Sequence, residues 1–500
     1  MVTNITNMFR DGVVLITGSS GFLGKILTEK LIRSCDVKTI AVLIRKKKGL
    51  TASSRAMDIY KQTIFDRLRK EKPDFVTKIK IIDGNLEEPS LGFSTNDRDW
   101  MIKNVNFVFH CAATIKFNET IQKATKINIQ GTENLLELAT KMINLKGFVH
   151  VSTAYSHCPR SEIEEKFYPV STSAEELKDL IKKDENTQLF SVDWPNTYTF
   201  TKALTENVIL KNKNQLPISI FRPSIIGCTQ SEPEPGWLDN INGLFGIVTP
   251  LIVGVLRTIQ LSRDKITDIV PVDYTVNALI SVMWSTANRH QYNFEKNKEP
   301  KIYNYVSSVE SPICMNEILQ YTSETYHQAP PLKSMWYIFC IFSTNRWLIN
   351  ILRFILHWIP GAIIDFSLII RGKNPKMLKM YKKIEYANDL LKLFTTNEWK
   401  FDNSNTRELW SLLSQEDRET FWFSFEEFDW KSYMKYNFYG IRKHILHEDL
   451  SNLTSALSKY RKLFWLHKLC IFLIIYVIFK ICWFFIEYSN FIVMSKKNMP

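Results

Sequence analysis

The sequence predicts an α/β chain: a doubly wound parallel sheet, then a C-terminal helical domain, then a C-terminal membrane helix. Three observations predict it. Short apolar runs at 13–17, 39–44, 78–83, 106–110 and 147–152 alternate with helical segments, the rhythm of a parallel sheet covered on both faces. From about residue 331 the pattern changes to apolar, aromatic-rich helices. Residues 464–486 then read FWLHKLCIFLIIYVIFKICWFFI, and a helix of about 20 apolar residues spans the ~30 Å of bilayer hydrocarbon. A chain of 500 residues exceeds one ordinary core, and the expected units are 1–330, 331–450 and 451–500.

The first strand, around Val13–Thr17, runs into TGSSGFLG at 17–24. Gly18 permits a tight turn, Gly21 lets backbone approach a phosphate, and Gly24 lets a helix pack closely on the strand. The following KILTEKLIRS places Ile26, Leu27, Leu31 and Ile32 on one helical face. A pyrophosphate fits the N-terminus of that helix, held by unpaired N–H groups and the helix dipole. Strand, glycine turn and helix together predict a Rossmann-type dinucleotide site, here with G-x-x-G-x-x-G spacing. At the end of the second strand an NAD site usually carries an acid for the ribose 2′-hydroxyl. This chain has Arg45, Lys46, Lys47 and Lys48 there, and no acid. Cations suit a 2′-phosphate, so the expected cofactor is NADPH, with Arg45 as its bidentate partner.

Later strands of the same sheet are expected in ISIFRPSIIG at 218–227 and KIYNYVSS at 301–308, with a helix over 128–142 and an insertion of helix and loop at 160–188. Residues 335–370 are strongly apolar but interrupted by Arg346, Arg353, Pro360 and Asp365, and their longest uncharged run is short for a crossing. They read as helices that line an apolar pocket or lie on a membrane surface. Residues 371–450 read as a small helical domain and 451–463 as a polar link. In the tail, Lys468 can snorkel from near one end, Lys480 lies deeper, and Trp465, Trp483 and Tyr488 suit the interfaces.

Tyr198 and Lys202 form a Tyr-x-x-x-Lys pair whose spacing puts both on one helix face. The lysine ammonium is expected to lower the phenol pKa, and the tyrosine to pass a proton to a carbonyl oxygen as hydride reaches carbon. FVHVSTAY at 148–155 ends a strand in two hydroxyls at the cofactor crevice. Thr153, rather than Ser152, is the expected hydrogen-bond partner of the substrate oxygen, and Tyr155 is expected to pack. Asn128 suits either ordering a relay water or capping the helix that follows.

Lys and Arg number 64 against 51 Asp and Glu, a net charge of +13. This favours anionic partners: phosphorylated cofactors, coenzyme A or an anionic membrane surface. No zinc finger, RNP or helix-turn-helix pattern is present, so no nucleic acid partner is expected. Eight cysteines lie scattered without CxxC or a His cluster, which points to a reducing compartment and no structural zinc. The polar start MVTNITNMFRDG has no apolar leader and predicts no signal peptide. The expected location is the endoplasmic reticulum membrane, with the catalytic part facing the cytosol.

TGSSGFLG, VFHCAATIKFNE at 108–119, STAY at 152–155 and YTFTK at 198–202 together resemble the extended short-chain dehydrogenase/reductases. With FRPSIIG at 221–227, PGWLDN at 235–240, IVPVDYTVNALI at 269–280 and YGIRKHIL at 439–446, the chain more narrowly resembles the fatty acyl-CoA reductases over nearly its whole length, including the hydrophobic end typical of insect-like members. The resemblance implies that NADPH is held by Thr17, Gly18, Gly21, Phe22, Leu23, Gly24, Arg45, Asn85, Tyr198 and Lys202. It implies that Thr153, Tyr198 and Lys202 are catalytic, and that a long-chain fatty acyl-CoA is reduced through an aldehyde to a primary alcohol. Two departures stand out. Gly84-Asn85, with Asp83 one place earlier, replaces the usual Gly-Asp at the adenine. INGLFG follows PGWLDN where Gly-Pro is usual, a region expected to shape chain-length preference. The competing readings are a reductase of a sterol or sugar nucleotide and a membrane scaffold that retains the cofactor fold.

Overall fold

Seven parallel strands build the central sheet: β1 (Val13–Thr17), β2 (Thr39–Ile44), β3 (Ile79–Asp83), β4 (Phe107–His110), β5 (Gly147–Val151), β6 (Ile218–Pro223) and β7 (Lys301–Tyr305). Their order is β7-β6-β5-β4-β1-β2-β3. The computed structural model describes residues 4–47, 49–183, 193–213, 215–241, 243–291 and 299–497. Lys48 of the basic run, Asn242 of INGLFG and the end of the 160–188 insertion lie outside the described residues.

Alternation along each strand sends side chains to opposite faces. Val14 and Ile16 of β1 join a core with Ile26, Leu27 and Leu31 of helix α1 (Phe22–Ser34). Leu15 and Val13 join the opposite core, with Leu135 and Leu136 of α2 (Gly131–Thr140) and Phe200 and Leu204 of α3 (Thr197–Lys211). Helix α4 (Val272–Gln291) returns to the α1 side through Val276, Leu279 and Met283. Two covered faces account for the continuous apolar strands. The chain reverses direction across the sheet between β1 and β4, which leaves a crevice at their carboxyl ends.

Four details differ from expectation. The 218–227 run is two strands. Pro223 has no N–H to continue the ladder, and Ile225–Gly227 turns away to pair with Ile269–Pro271. β7 ends at Tyr305 rather than 308. The helix expected from 128 begins earlier, in a wide π-turn over Thr125–Gln130. The polar link of 451–463 is the start of a single helix, α8, from Leu453 to Lys497, which includes the apolar tail.

Residues beyond 330 share two ladders with earlier ones: Ile341–Ser343 pairs with Thr258–Gln260, and Lys400–Phe401 with Glu162–Ile163. Three further helices matter below: α5 (Arg346–Ile370), α6 (Met377–Thr396) and α7 (Trp430–Gly440). α5 and the segment Leu450–Tyr488 are each long and apolar enough to cross a membrane.

PGWLDN and YGIRKHIL, far apart in sequence, meet as a backbone crossing. Gly236 has φ +78°, and a methyl there would stand 2.5 Å from the carbonyl oxygen of Tyr436. A methyl at Gly440 would fall on the carbonyl oxygen of Gly236. Gly440→Ala is therefore expected to destabilise the chain by about 1–3 kcal/mol through overpacking of backbone on backbone. A thermal midpoint equal to wild type, measured in detergent, would show that this crossing is not tight.

Candidate active site

The glycine turn at the end of β1 is shaped for a close ligand. Gly18 has φ +75°, and a Cβ there would lie 2.8 Å from the Ala112 nitrogen. A Cβ on Gly24 would collide with the carbonyl of Gly18, so α1 sits directly on the turn. A Cβ on Gly21 would meet little besides the Gly18 oxygen at 3.2 Å. Gly21 is the N-cap of the 13-residue α1 and supplies no side-chain cap. The first N–H groups of α1 therefore open beside exposed Gly21 and half-buried Phe22 and Leu23. This cradle fits a dinucleotide pyrophosphate. Thr17 is occupied differently: its hydroxyl pairs with His110 Nδ1 at 2.7 Å and accepts the Ala112 N–H at 3.2 Å, which braces β1 against β4.

At the end of β2 the structure brings in acids that the local sequence does not show. Arg45 meets Glu87 at 3.0 Å, and Lys46 meets Asp83 at 2.9 Å. Both acids come from the end of β3 and its loop, since Ile44 and Asp83 are paired residues of neighbouring strands. The expectation of a purely basic site is corrected accordingly. Arg45 remains half-exposed, and such surface pairs are worth only about 0–1 kcal/mol. Asn85 uses its side-chain oxygen to accept the Glu87 N–H at 3.2 Å, and so shapes the loop that carries Glu87.

Thr153, Tyr198 and Lys202 converge at the carboxyl end of β5. The Thr153 hydroxyl lies beside the Tyr198 phenol and favours its ionised form, and it accepts the Tyr155 N–H at 3.3 Å. Ser152 is turned to Glu206 Oε1 at 2.5 Å. Lys202 Nζ donates to the Val151 carbonyl at 2.6 Å. Burial pushes Lys202 down to about 8, against the opposing influence of Cys111 and Glu206. Burial pushes the Tyr198 phenol up to about 12, and the bond to Thr153 offsets this only in part. The expected lowering of the phenol by Lys202 is thus corrected. The two side chains share a helix face, but the ammonium is drawn to the strand end. Tyr198 keeps its proton at neutral pH. The Cys111 thiol is also pushed up to about 12 by burial, which leaves no thiolate.

Asn128 lies inside the π-turn rather than at a helix start. Its amide donates to Thr201 Oγ1 at 2.9 Å, and its side-chain oxygen accepts the Thr114 N–H at 2.9 Å. Its carbonyl accepts from Thr205 at 3.0 Å. It clamps α3 to the strand-end loop, so the cap reading is corrected. Tyr155 is buried and packs against Phe394, Trp399 and Phe401. Phe394, on α6, also lies 5.5 Å from Phe117, whose ring stacks 6.0 Å from Tyr198. The helical region thereby forms an aromatic wall of the site.

Beneath α3 lies a charged cluster that the motif analysis missed. Fully buried Glu206 takes Arg222 Nη2 at 2.6 Å and Nε at 3.0 Å, Ser156 at 3.1 Å and His157 Nε2 at 3.1 Å. Burial opposes its charge, yet Arg222 and His157 hold its carboxyl well below the usual range. The signal was present: Arg222 is a lone cation inside an apolar strand, and a buried charge demands a partner. Next to it, buried His110 and His150 are paired across β4 and β5, and burial pushes His110 down to about 3. α1 carries a second unforeseen set of charges. Lys25 reaches Asp239 of PGWLDN at 2.8 Å, and Lys30 and Arg33 reach Glu232 at 2.5 and 3.0 Å. Trp237 stacks on Phe22 at 5.4 Å. PGWLDN therefore seats on the start of the dinucleotide helix.

Two family profiles, both described as male sterility protein, match residues 16–279, where the profile is an NAD-binding one, and residues 356–448. The chain is 38% identical to fatty acyl-CoA reductase wat of Drosophila melanogaster over 92% of this chain and 89% of that one. The chain belongs to the fatty acyl-CoA reductase family. As a member of this family it is an NAD(P)-dependent oxidoreductase. It is also 36% identical to fatty acyl-CoA reductase 1 of Gallus gallus, over 92% and 90% of the two chains. It is 33% identical to fatty acyl-CoA reductase 2 of Homo sapiens, over 95% and 93%. Among solved structures, the terminal R domain of the myxalamid pathway superposes with a TM-score of 0.58 at 16% identity, covering 87% of this chain and 91% of that one. The R domain of a nonribosomal peptide synthetase from Mycobacterium tuberculosis superposes at 0.55 with 15% identity, covering 87% and 92%. At these identities the likeness is one of fold.

In this reductase, Arg222→Met is expected to cost about 3–5 kcal/mol, because it strands the Glu206 carboxylate in the core. The double variant with Glu206→Leu is expected to recover most of that loss. Chemical denaturation of both distinguishes the cases, and a near-neutral single variant would contradict the buried pair.

Proposed function

We propose that this chain reduces long-chain fatty acyl-CoA with NADPH, through an aldehyde to a primary alcohol, and releases coenzyme A. The observation that carries the reading is the convergence of Thr153, Tyr198 and Lys202 at the carboxyl end of β5, with Lys202 on the Val151 carbonyl and Tyr198 walled by Phe117 and Phe394.

Gly18, Gly21 and Gly24, with the N–H groups of Phe22 and Leu23 and the strand-end Thr17, would hold the pyrophosphate. Arg45 would hold the 2′-phosphate, Asn85 would flank the adenine, and Lys202 would bind the nicotinamide ribose. When bound, the cofactor supplies hydride to carbon, once for the thioester and once for the aldehyde. Thr153 orients the substrate oxygen. Tyr198, which keeps its proton at neutral pH, would give it to that oxygen as negative charge develops there. A phenol held near 12 suits donation to an alkoxide better than a phenolate would. Lys202 is held by the Val151 carbonyl at the strand end, where it keeps its charge below about pH 8. Tyr198→Phe is expected to lower turnover roughly 10²–10⁴-fold while the fold and cofactor affinity persist. Near wild-type turnover on palmitoyl-CoA would remove Tyr198 from the chemistry.

The tail supports anchoring in the endoplasmic reticulum membrane with the body in the cytosol, where acyl-CoA and NADPH reside. Arg461 and Lys462 precede the apolar run and Lys468 lies near its start, as the positive-inside tendency prefers, while Lys496 and Lys497 beyond it work against that tendency and leave both a single pass and a returning hairpin open.

Cofactor choice has its own test. Arg45→Glu is expected to weaken NADPH at least about tenfold while leaving NADH nearly unchanged. Glu87→Gln, which frees Arg45 from its acid, is expected to tighten NADPH by up to about fivefold. Equal changes for both cofactors in a titration of cofactor fluorescence would assign the 2′-phosphate elsewhere.

A further inference from the structure

Among the described residues two helices are long and apolar enough to span a membrane, and we propose that α5 does not cross. Instead it lies in the plane of the bilayer surface, with its outer face sunk into the headgroup–acyl boundary of the leaflet from which α8 emerges.

One flank of α5 is bonded to the folded body along its length. Arg353 pairs with Asp389 of α6 at 2.8 Å. His357 accepts the Arg257 backbone N–H on Nε2 at 3.0 Å, so its Nδ1–H faces Glu385 at 3.2 Å. Trp358 donates to the same Glu385 at 3.1 Å. Asp365 caps α6, accepting the N–H groups of Lys376, Met377 and Leu378 at 2.8, 2.8 and 3.0 Å. These bonds run from residue 353 to 365, about 18 Å of helix axis. A crossing would carry Asp365, His357 and their partners into hydrocarbon, where each polar group costs several kcal/mol.

The opposite flank is apolar and exposed: Trp347, Ile351, Phe354, Ile363, Phe366 and Ile370. The inward positions, bonded at 353, 357 and 365 and buried at 349 and 361, recur every four residues. An ideal helix would rotate that stripe by about 40° at each step. The π-turn at Phe354–Trp358 takes up part of the lag and keeps the two flanks separate over the whole helix. A long helix with one polar, bonded flank and one bare apolar flank is the form of an interfacial helix.

The leaflet is identified by α8. At the root of the tail, His467 accepts the Trp336 indole N–H at 3.2 Å and stacks on Phe339 at 4.8 Å. The Arg257 guanidinium covers those same Trp336 and Phe339 rings at 5.6 and 5.9 Å. Arg257 also donates to the Leu356 carbonyl at 3.1 Å, in the middle of α5. One residue therefore ties the midpoint of α5 to the place where α8 leaves the body. Arg346, Arg371, Lys373, Lys376 and Lys379 are exposed at the ends and along the flank, placed for anionic headgroups.

The inference rests on α8 as the anchor, and the test reads both. The full chain is reconstituted in phosphatidylcholine–phosphatidylserine vesicles with an environment-sensitive fluorophore on a genetically encoded residue at position 354, 363 or 370, or at 478 in the tail. Nitroxide-bearing lipids then quench from carbon 5 or carbon 12 of the acyl chain. All three α5 positions are expected to be quenched alike, about twofold more by the shallow nitroxide, as a burial depth of about 5–10 Å requires. Position 478 is expected to favour the deep one. Quenching at 363 by the deep nitroxide with loss at the ends would make α5 a span, and no quenching along α5 with a quenched 478 would place it in water. An unquenched 478 would overturn the anchor itself.

Discussion

The Glu206–Arg222 pair is the interaction on which the site depends. Arg222 comes from β6, and Glu206 from the helix that carries Tyr198 and Lys202. Ser152, Ser156 and His157 bring the end of β5 to the same carboxylate, while Arg222 donates to the carbonyls of Glu164 and Lys166 in the insertion at 3.0 Å each. A buried pair of this kind gives little net stability against an apolar substitute. Its value here is registry. It sets how far α3 slides along β5, and with it whether Tyr198 meets Thr153. Because Ser152 is bound to Glu206, Thr153 is the hydroxyl left to face the crevice.

The helical region completes the site in two places. Through Phe394 of α6 and Trp399 just beyond its end, it walls the site next to Tyr155 and Phe117. Through the Gly236–Gly440 crossing, α7 fixes PGWLDN, which sets Trp237 on Phe22 and Asp239 on Lys25 at the cofactor turn. α6 also runs from Glu385, bonded to α5, to Phe394, about 14 Å further along its axis. The same helix thus links the apolar outer surface with the wall of the site.

The sheet was legible because its strands are buried on both faces and its glycines bear steric duties that no other residue fulfils. Tyr198 and Lys202 were singled out by their spacing together with their place downstream of the glycine turn. What spacing does not carry is the third dimension. Glu87 and Asp83 lie about 40 residues beyond Arg45 and Lys46 and reach them only because β3 pairs with β2. Lys202 shares a helix face with Tyr198, yet its ammonium goes to the Val151 carbonyl, a partner set by the fit of α3 on β5. The break after Pro223 was readable from the missing N–H, but the apolar residues beyond it masked the change of partner. Arg222 was readable as a cation that needs a counter-charge, although its partner was not named.

We propose that one site takes a thioester all the way to an alcohol. The direct measurement follows purified full-length chain in vesicles with palmitoyl-CoA and counts NADPH oxidised against free coenzyme A thiol, with the lipid product identified by mass. The account predicts two NADPH per thiol and hexadecanol as product. One NADPH per thiol with hexadecanal accumulating, or no thiol release at all, would contradict it.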